Sequence, residues 1–365
     1  MPSDPTPPEV SPRPRTRIRA PRTAQARGKA TLPGLEASEA PVDAVVEAQT
    51  DSPVPTPAPE VAAPAEAAEP SAQDGLRDTL TDHVTAQVAR LHLAARSATE
   101  DPAHAIHAFR RSLRRIRSTL HLVERALPHE TWRDLDHAVR DVARRTSALR
   151  DAEILPDTLS TVVVADREAL DVWRIELDQG RLKAHAAGTS GGLLRAGAVD
   201  LQPVAETFAV RLEPEIRWRQ LARGLRDAWK RAKKARHAAE KRPNPKLIHE
   251  FRKRVKDVRW QLELIASAAP HAQRDGIDAL AALARGLGGV TDLIALRTWV
   301  RAHSGGGESR QLLLSALDAA IAQGFEEALR VSEAAFQEKS KKLSSRVRSW
   351  FVEAGMADDA DPEED

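Results

Sequence analysis

Apolar residues recur at steps of three and four from Gly75 to Phe351, the period of helices that bury one face. Leu76 to about Ser97 predicts a first helix, and Asp101-Pro102 opens a second that runs to about Ala126. Pro128 precedes a third, whose Trp132, Leu135, Val139, Val142 and Leu149 keep the period, and a fourth is expected between Pro156 and Ala187. The Gly-rich stretch GTSGGLLRAGAV, 188–199, interrupts the pattern and predicts a linker. A second series follows: one long helix from about Val204 to Lys241, one over 244–267, one from His271 through GLGG to about His303, and a last from about Glu308 to Phe351.

The two series read as one unit used twice. IHAFRRSLRRIRSTLHLV (106–123) and IHEFRKRVKDVRWQLELI (248–265) align at an offset of 142 with seven identities in eighteen, and LRDAEIL (149–155) matches VTDLIAL (290–296) at 141. A long, nearly constant offset is the mark of duplication. The expected fold is all-α, two pseudo-symmetric four-helix units: a first repeat over 75–187, a linker over 188–200 and a second repeat over 201–351.

Both copies carry a second stripe beside the apolar one. In the first, Ile106, Phe109, Leu113, Ile116, Leu120 and Val123 are the candidate core, flanked by His107, Arg110, Arg114, Arg117 and His121. In the second, Ile248, Phe251, Val255, Val258, Leu262 and Ile265 are flanked by His249, Arg252, Lys256 and Arg259. Like charges at i,i+4 cost about 0.2–0.5 kcal/mol each on an isolated helix, so a core-facing helix gains nothing from such a row. At 1.5 Å rise per residue, His107 to Arg117 covers about 15 Å, which suits a long anion better than one phosphate. Arg forks bind phosphate oxygens bidentately. A third row, Arg219, Arg223, Arg226 and Lys230, is a candidate further wall.

Charge is segregated along the chain. The net charge is only +2, but residues 1–74 hold 15 of the 24 prolines, a basic block from Arg13 to Lys29, and then an acidic stretch without Lys or Arg. That composition predicts a disordered tail, and the carboxylate-rich end predicts another over 352–365. Residues 75–355 keep 48 Lys and Arg against 36 Asp and Glu, a surplus of 12 that expects a polyanionic partner. With no Cys there is no disulfide framework or thiolate metal site. No membrane span or signal peptide is expected, which predicts a soluble cytoplasmic protein.

The paired motifs HAFRRSLRRIRSTL and HEFRKRVKDVRWQLEL, with the ALRDAEIL element, resemble the CHAD family over about residues 75–351. The resemblance implies an all-helical pseudo-two-fold fold whose basic central surface binds inorganic polyphosphate, in a stand-alone member without a CYTH domain. It carries the basic signature positions onto His107, Arg110, Arg114, Arg115 and Arg117, and onto His249, Arg252, Lys253, Lys256 and Arg259. Asp257, Ala108 and Trp260 depart from the usual pattern. The expectation is a non-catalytic polyphosphate binder associated with polyphosphate granules, with no cofactor and no metal. His104 and His107 are i,i+3, but no third ligand is in register. Two readings stand beside it: a histidine phosphotransfer enzyme, and a nonspecific nucleic-acid binder. Against them, His107 and His249 start their helices beside Arg rows with no paired carboxylates, and no DNA or RNA module is present. Oligomeric state is not encoded in these patterns.

Overall fold

The computed structural model describes residues 72–164, 168–185, 189–269, 275–303 and 307–355. Both predicted tails, apart from a few residues that border the body, lie outside that set. Among the described residues all regular structure is helical. The first repeat comprises α1 (Ala72–Ser97), α2 (Pro102–Leu122), α3 (His129–Arg145), α4 (Ser147–Ser160), α5 (Asp171–His185) and α6 (Thr189–Asp200). After α7 (Gln202–Arg211) come α8 (Trp218–Lys241), α9 (Pro245–Ala268), α10 (Asp275–Ala302), α11 (Gly307–Ala335) and α12 (Ser340–Glu353).

The two ladder helices start in the same way. Asp101 caps α2 by accepting from His104 N at 3.0 Å, and Asn244 caps α9 by accepting from Leu247 N at 3.0 Å. A proline follows each cap at the first helical position, where its missing N–H costs nothing. Packing repeats as well: α1 lies on α2 and α6 as α8 lies on α9 and α12, and α4 packs on α5 as α10 packs on α11. The repeats meet where α2 crosses α9 and α4 crosses α10. At the first crossing Ser118 Oγ donates to the Asp257 carbonyl (3.0 Å) and Gln261 Nε2 donates to the Ser118 carbonyl (3.1 Å). The predicted core rows are buried throughout, from Ile106 and Phe109 to Leu262 and Ile265, in one continuous cluster that joins the repeats. A satellite core, with Trp173 at its centre, ties α4 and α5 to the ends of α10 and α11.

Four boundaries differ from expectation. The Gly-rich segment read as a linker is α6, with Leu194 and Ala198 buried against α1 and α2. Its Gly197 is a close-approach position, since a Cβ there would stand 2.7 Å from Val142 and 3.2 Å from Phe109. Glycine here serves packing, not flexibility, and α6 occupies in the first repeat the place of α12 in the second. The long Val204–Lys241 helix is two helices, broken at Leu212–Arg217 around Pro214, which cannot continue the backbone bonding. The third helix ends at Arg145, and its expected Leu149 falls in α4, which starts at Ser147 and runs through Pro156 to Ser160, while α5 starts only at Asp171. The last helix breaks after Ala335 although its apolar period continues. There the chain turns to bury Phe336 against Trp229 (4.9 Å between ring centres), and Trp229 Nε1 donates to the Glu338 carbonyl at 3.2 Å.

One stretch, Gly276–Ala302 of α10, is long and apolar enough to cross a membrane by composition. It packs between α9, α11 and α4, so its apolar character is that of a core helix.

Candidate functional site

Between α2 and α9, walled by α3, the start of α4 and α10, lies a groove of about 1020 Å³. The α2 row puts Arg110, Arg114 and Arg117 into it, and the α9 row puts His249, Arg252, Lys253 and Lys256 there. Four more cations line it that ladder spacing did not single out: Arg140 and Arg144 from α3, Arg150 from α4, and Lys246 from the first turn of α9. The signal for Arg150 was present in the ALRDAEIL string. Arg140 and Arg144 enter only because α3 folds back beside α2.

The groove is unequal across the pseudo-two-fold. At the 141 offset Arg140 corresponds to Ala281 and Arg150 to Thr291, so the first repeat supplies the more cationic wall.

Several groove cations are already engaged. Arg117 Nε donates to Asp136 Oδ1 at 2.6 Å, and Arg150 pairs with Asp151 (3.1 Å) and with Asp292 across the repeat boundary. Lys253 reaches Glu250 at 3.8 Å. Among the described residues, however, Arg110, Arg114, Arg252 and Lys256 have no carboxylate within salt-bridge distance. Arg110 Nη1 instead donates to the Ala143 carbonyl (2.9 Å) and to Thr146 Oγ1 (3.2 Å). The Nε atoms of Arg110 and Arg252 are buried with no hydrogen-bond partner.

That crowding shows in the protonation equilibria. Burial, then the Arg150 and Arg252 charges, pushes Arg110 down to about 10. Burial, then Arg252 and Arg110, pushes Arg114 down to about 9. The most affected group is Lys256, which burial and the Arg252, Arg114 and Arg150 guanidiniums push down to about 6. Arg252 and Lys253 are lowered for the same first reason, loss of hydration. His107 and His249 are both held below the ordinary imidazole value by partial desolvation and then by neighbouring cations. The arginines stay charged at neutral pH even so. The groove is a set of like charges held together by the fold, which a bound anion would relieve.

Other predicted site residues lie elsewhere. His107 is exposed at the start of α2 and does not line the groove. Arg115 faces the opposite flank, 3.7 Å from Glu263, in a smaller pocket of about 270 Å³ with His83 and Arg90. Arg259 donates to Glu263 at 2.6 Å on that side. Arg219, Arg223, Arg226 and Lys230 belong to α8 and do not line the groove. His121 turns toward α3, 3.5 Å from Asp136 and edge-on to Trp132. Among the described residues no group of three or more His, Cys, Asp and Glu converges.

The paired ladders, the shared core and the repeated caps agree with one family profile, that of the CHAD domain, which matches residues 79–301. The chain belongs to the CHAD domain family. Two solved structures are similar to this CHAD chain. PptA from Streptomyces chartreusis is 18% identical, over 73% of this chain and 99% of that one, with a TM-score of 0.49. The CHAD domain from the plant Ricinus communis is 16% identical, over 78% and 95%, with a TM-score of 0.49. No curated protein matches. The CHAD match ends in the last turn of α10, whereas the body continues through α11 and α12.

Proposed function

We propose that this CHAD protein binds inorganic polyphosphate in the α2–α9 groove and does no chemistry on it. The observation that carries the reading is the central set Arg110, Arg114, Arg252 and Lys256, crowded in one groove with no carboxylate within salt-bridge distance among the described residues. Arg114 and Arg252 have forks that grip phosphate oxygens in pairs, and Arg140, Arg144 and Lys246 add to the positive surface of the groove. Arg110 to Arg117 spans about 10 Å at 1.5 Å per residue. That is room for several phosphates of a chain and more than a single phosphate needs. A flexible chain with a charge on every unit can neutralise all of these cations at once and release counterions as it does so. A duplex is stiff and reads better on a broad convex or grooved surface than inside a cleft walled on both sides. Association with polyphosphate granules in the cytoplasm is the setting this function implies.

The test is a binding isotherm for long-chain polyphosphate at two salt concentrations, with duplex DNA, RNA and ATP as competitors. Polyphosphate should bind tightest, with affinity falling steeply in salt. Changing Arg110, Arg114 and Arg252 together to Gln should weaken it by more than tenfold while helicity persists. These three are chosen because Arg117 and Arg150 also hold carboxylates that their removal would strand. Equal affinity in the triple variant, or displacement by duplex DNA at equal charge, would overturn the assignment.

A further inference from the structure

Lys256 is the one amine among the central groove cations, and its surroundings come from four helices. Arg114 faces it from α2, with His107 of the same helix nearby, Arg150 from α4 and Arg252 from its own helix, and Asp292 of α10 is the carboxylate that acts on it. The Trp260 ring lies 5.9 Å from its Nζ. It lines the open groove, so small solutes reach it. Beside it the buried Arg252 Nε has no hydrogen-bond partner, a donor waiting for an acceptor.

We propose that Lys256 is a carbamylation site: dissolved carbon dioxide adds to its side-chain amine, and the carbamate is held by the Arg114, Arg150 and Arg252 guanidiniums. The nitrogen lone pair forms a bond to the carbon, one C=O bond becomes a carboxylate, and the nitrogen gives a proton to solvent. No oxidant or reductant is needed.

Two conditions decide whether an amine takes up carbon dioxide, and the neighbouring guanidiniums favour both. The amine must be neutral, and burial with the neighbouring guanidiniums pushes Lys256 down to about 6. An ordinary lysine with a pKa of ~10.4 is neutral in only about one molecule in 2500 at pH 7. The product must also be stable, and it is an anion set beside Arg114 and Arg252, which have no carboxylate within salt-bridge distance among the described residues, and beside Arg150, which pairs with Asp151 and Asp292. The charges that disfavour the ammonium favour the carbamate. The residue's charge then changes from zero to minus one, so the carbamate and a bound polyanion exclude each other. Carbon dioxide would thus set how much of the groove is open. The carbamate does not depend on which anion the groove takes; only its competition with polyphosphate rests on the function proposed above.

The experiment incubates the full chain with ¹³C-labelled bicarbonate at neutral pH, traps carbamates with triethyloxonium ion, and maps labelled ethyl carbamate by peptide mass spectrometry. Lys256 should carry at least about a hundredfold more label than Lys230, which is exposed on α8 outside the groove. Label at that position should be lost in both Lys256→Arg and Lys256→Gln, with circular dichroism reporting that each is folded, and long-chain polyphosphate should suppress it. Label at Lys256 no higher than at Lys230 in the folded wild type would overturn the proposal. Label that persists under saturating polyphosphate would overturn the mutual exclusion. Strong labelling in a protein that binds no polyphosphate would overturn the proposed function and leave the carbamate standing.

Discussion

Polyanion binding in this groove should take up protons. The empty groove holds Lys256 as a largely neutral amine, because burial and then Arg252, Arg114 and Arg150 push it down to about 6. Phosphate oxygens laid among those cations reverse the local field and return the amine toward its ordinary value of ~10.4. Since the bound value lies above the free one, affinity is greatest below the free pKa and falls as pH rises toward the bound pKa. One proton limits the slope to about a tenfold loss per pH unit, so raising pH from about 6.5 to 8.5 should weaken binding by up to roughly a hundredfold, near 2.7 kcal/mol. His249, which lines the groove and is also held down by desolvation and neighbouring cations, adds uptake on the acidic side of that window. Titration calorimetry in buffers of different ionisation enthalpy reads the proton directly. Long chains keep titrating terminal phosphates few, and carbon dioxide is excluded so that carbamate does not compete. Between roughly half and one proton per site is expected near pH 7.5. In Lys256→Gln the uptake should fall close to zero and the pH dependence flatten. Measurable binding with no proton uptake, and the same Kd at both ends of the window, would refute the reasoning.

Three further outcomes follow from the same structure. Lys256→Gln should stabilise the empty protein near pH 7 by about 1–2 kcal/mol, discounted for solvent screening; the lowered folded pKa is a folding cost that is absent above about pH 10 and grows as pH falls toward 6, so thermal melts at about pH 7 and 10.5 should show the gain only at the lower pH. Gly224→Ala should destabilise by about 3 kcal/mol or more, because a Cβ there would meet the Leu122 carbonyl oxygen at 2.1 Å, where α8 passes the end of α2; a melting temperature within a degree or so of wild type would contradict that close approach. Lys230→Ala should leave polyphosphate affinity within about twofold while Arg114→Gln weakens it severalfold, since only the second lines the groove; equal losses in paired isotherms would move the site onto α8.

Much of the candidate groove was legible in the chain because a ladder helix is read locally. The apolar row places one face in the core, and a cationic row one position on must then stand at its edge, as Arg110, Arg114, Arg252 and Lys256 do. Periodicity leaves open which edge. Arg115 and Arg259 share those helices and face Glu263 on the other flank, a choice made by the crossing of α2 and α9. His107 and His249 hold matching places near the starts of their helices, yet of the two only His249 lines the groove, which the matching sequence patterns do not foretell. The α8 row obeyed the same spacing as the α2 and α9 rows and lies outside the groove, since spacing carries no information about the neighbour a face will meet.

By itself the sequence determined the all-helical class, the duplication and the two starts capped by Asp101-Pro102 and Asn244-Pro245, all set by interactions within one or two turns. Tertiary structure decided the rest. Glycine at 197 is a packing residue inside α6 because Phe109 and Val142 arrive there from elsewhere in the chain, and the final helix breaks because Phe336 gains more against Trp229 than in a continued helix. The protonation of Lys256 belongs to this second class. Its own neighbours in sequence include Asp257, and only the fold brings Arg114 and Arg150 from other helices to leave an amine where the chain alone would show an ordinary lysine.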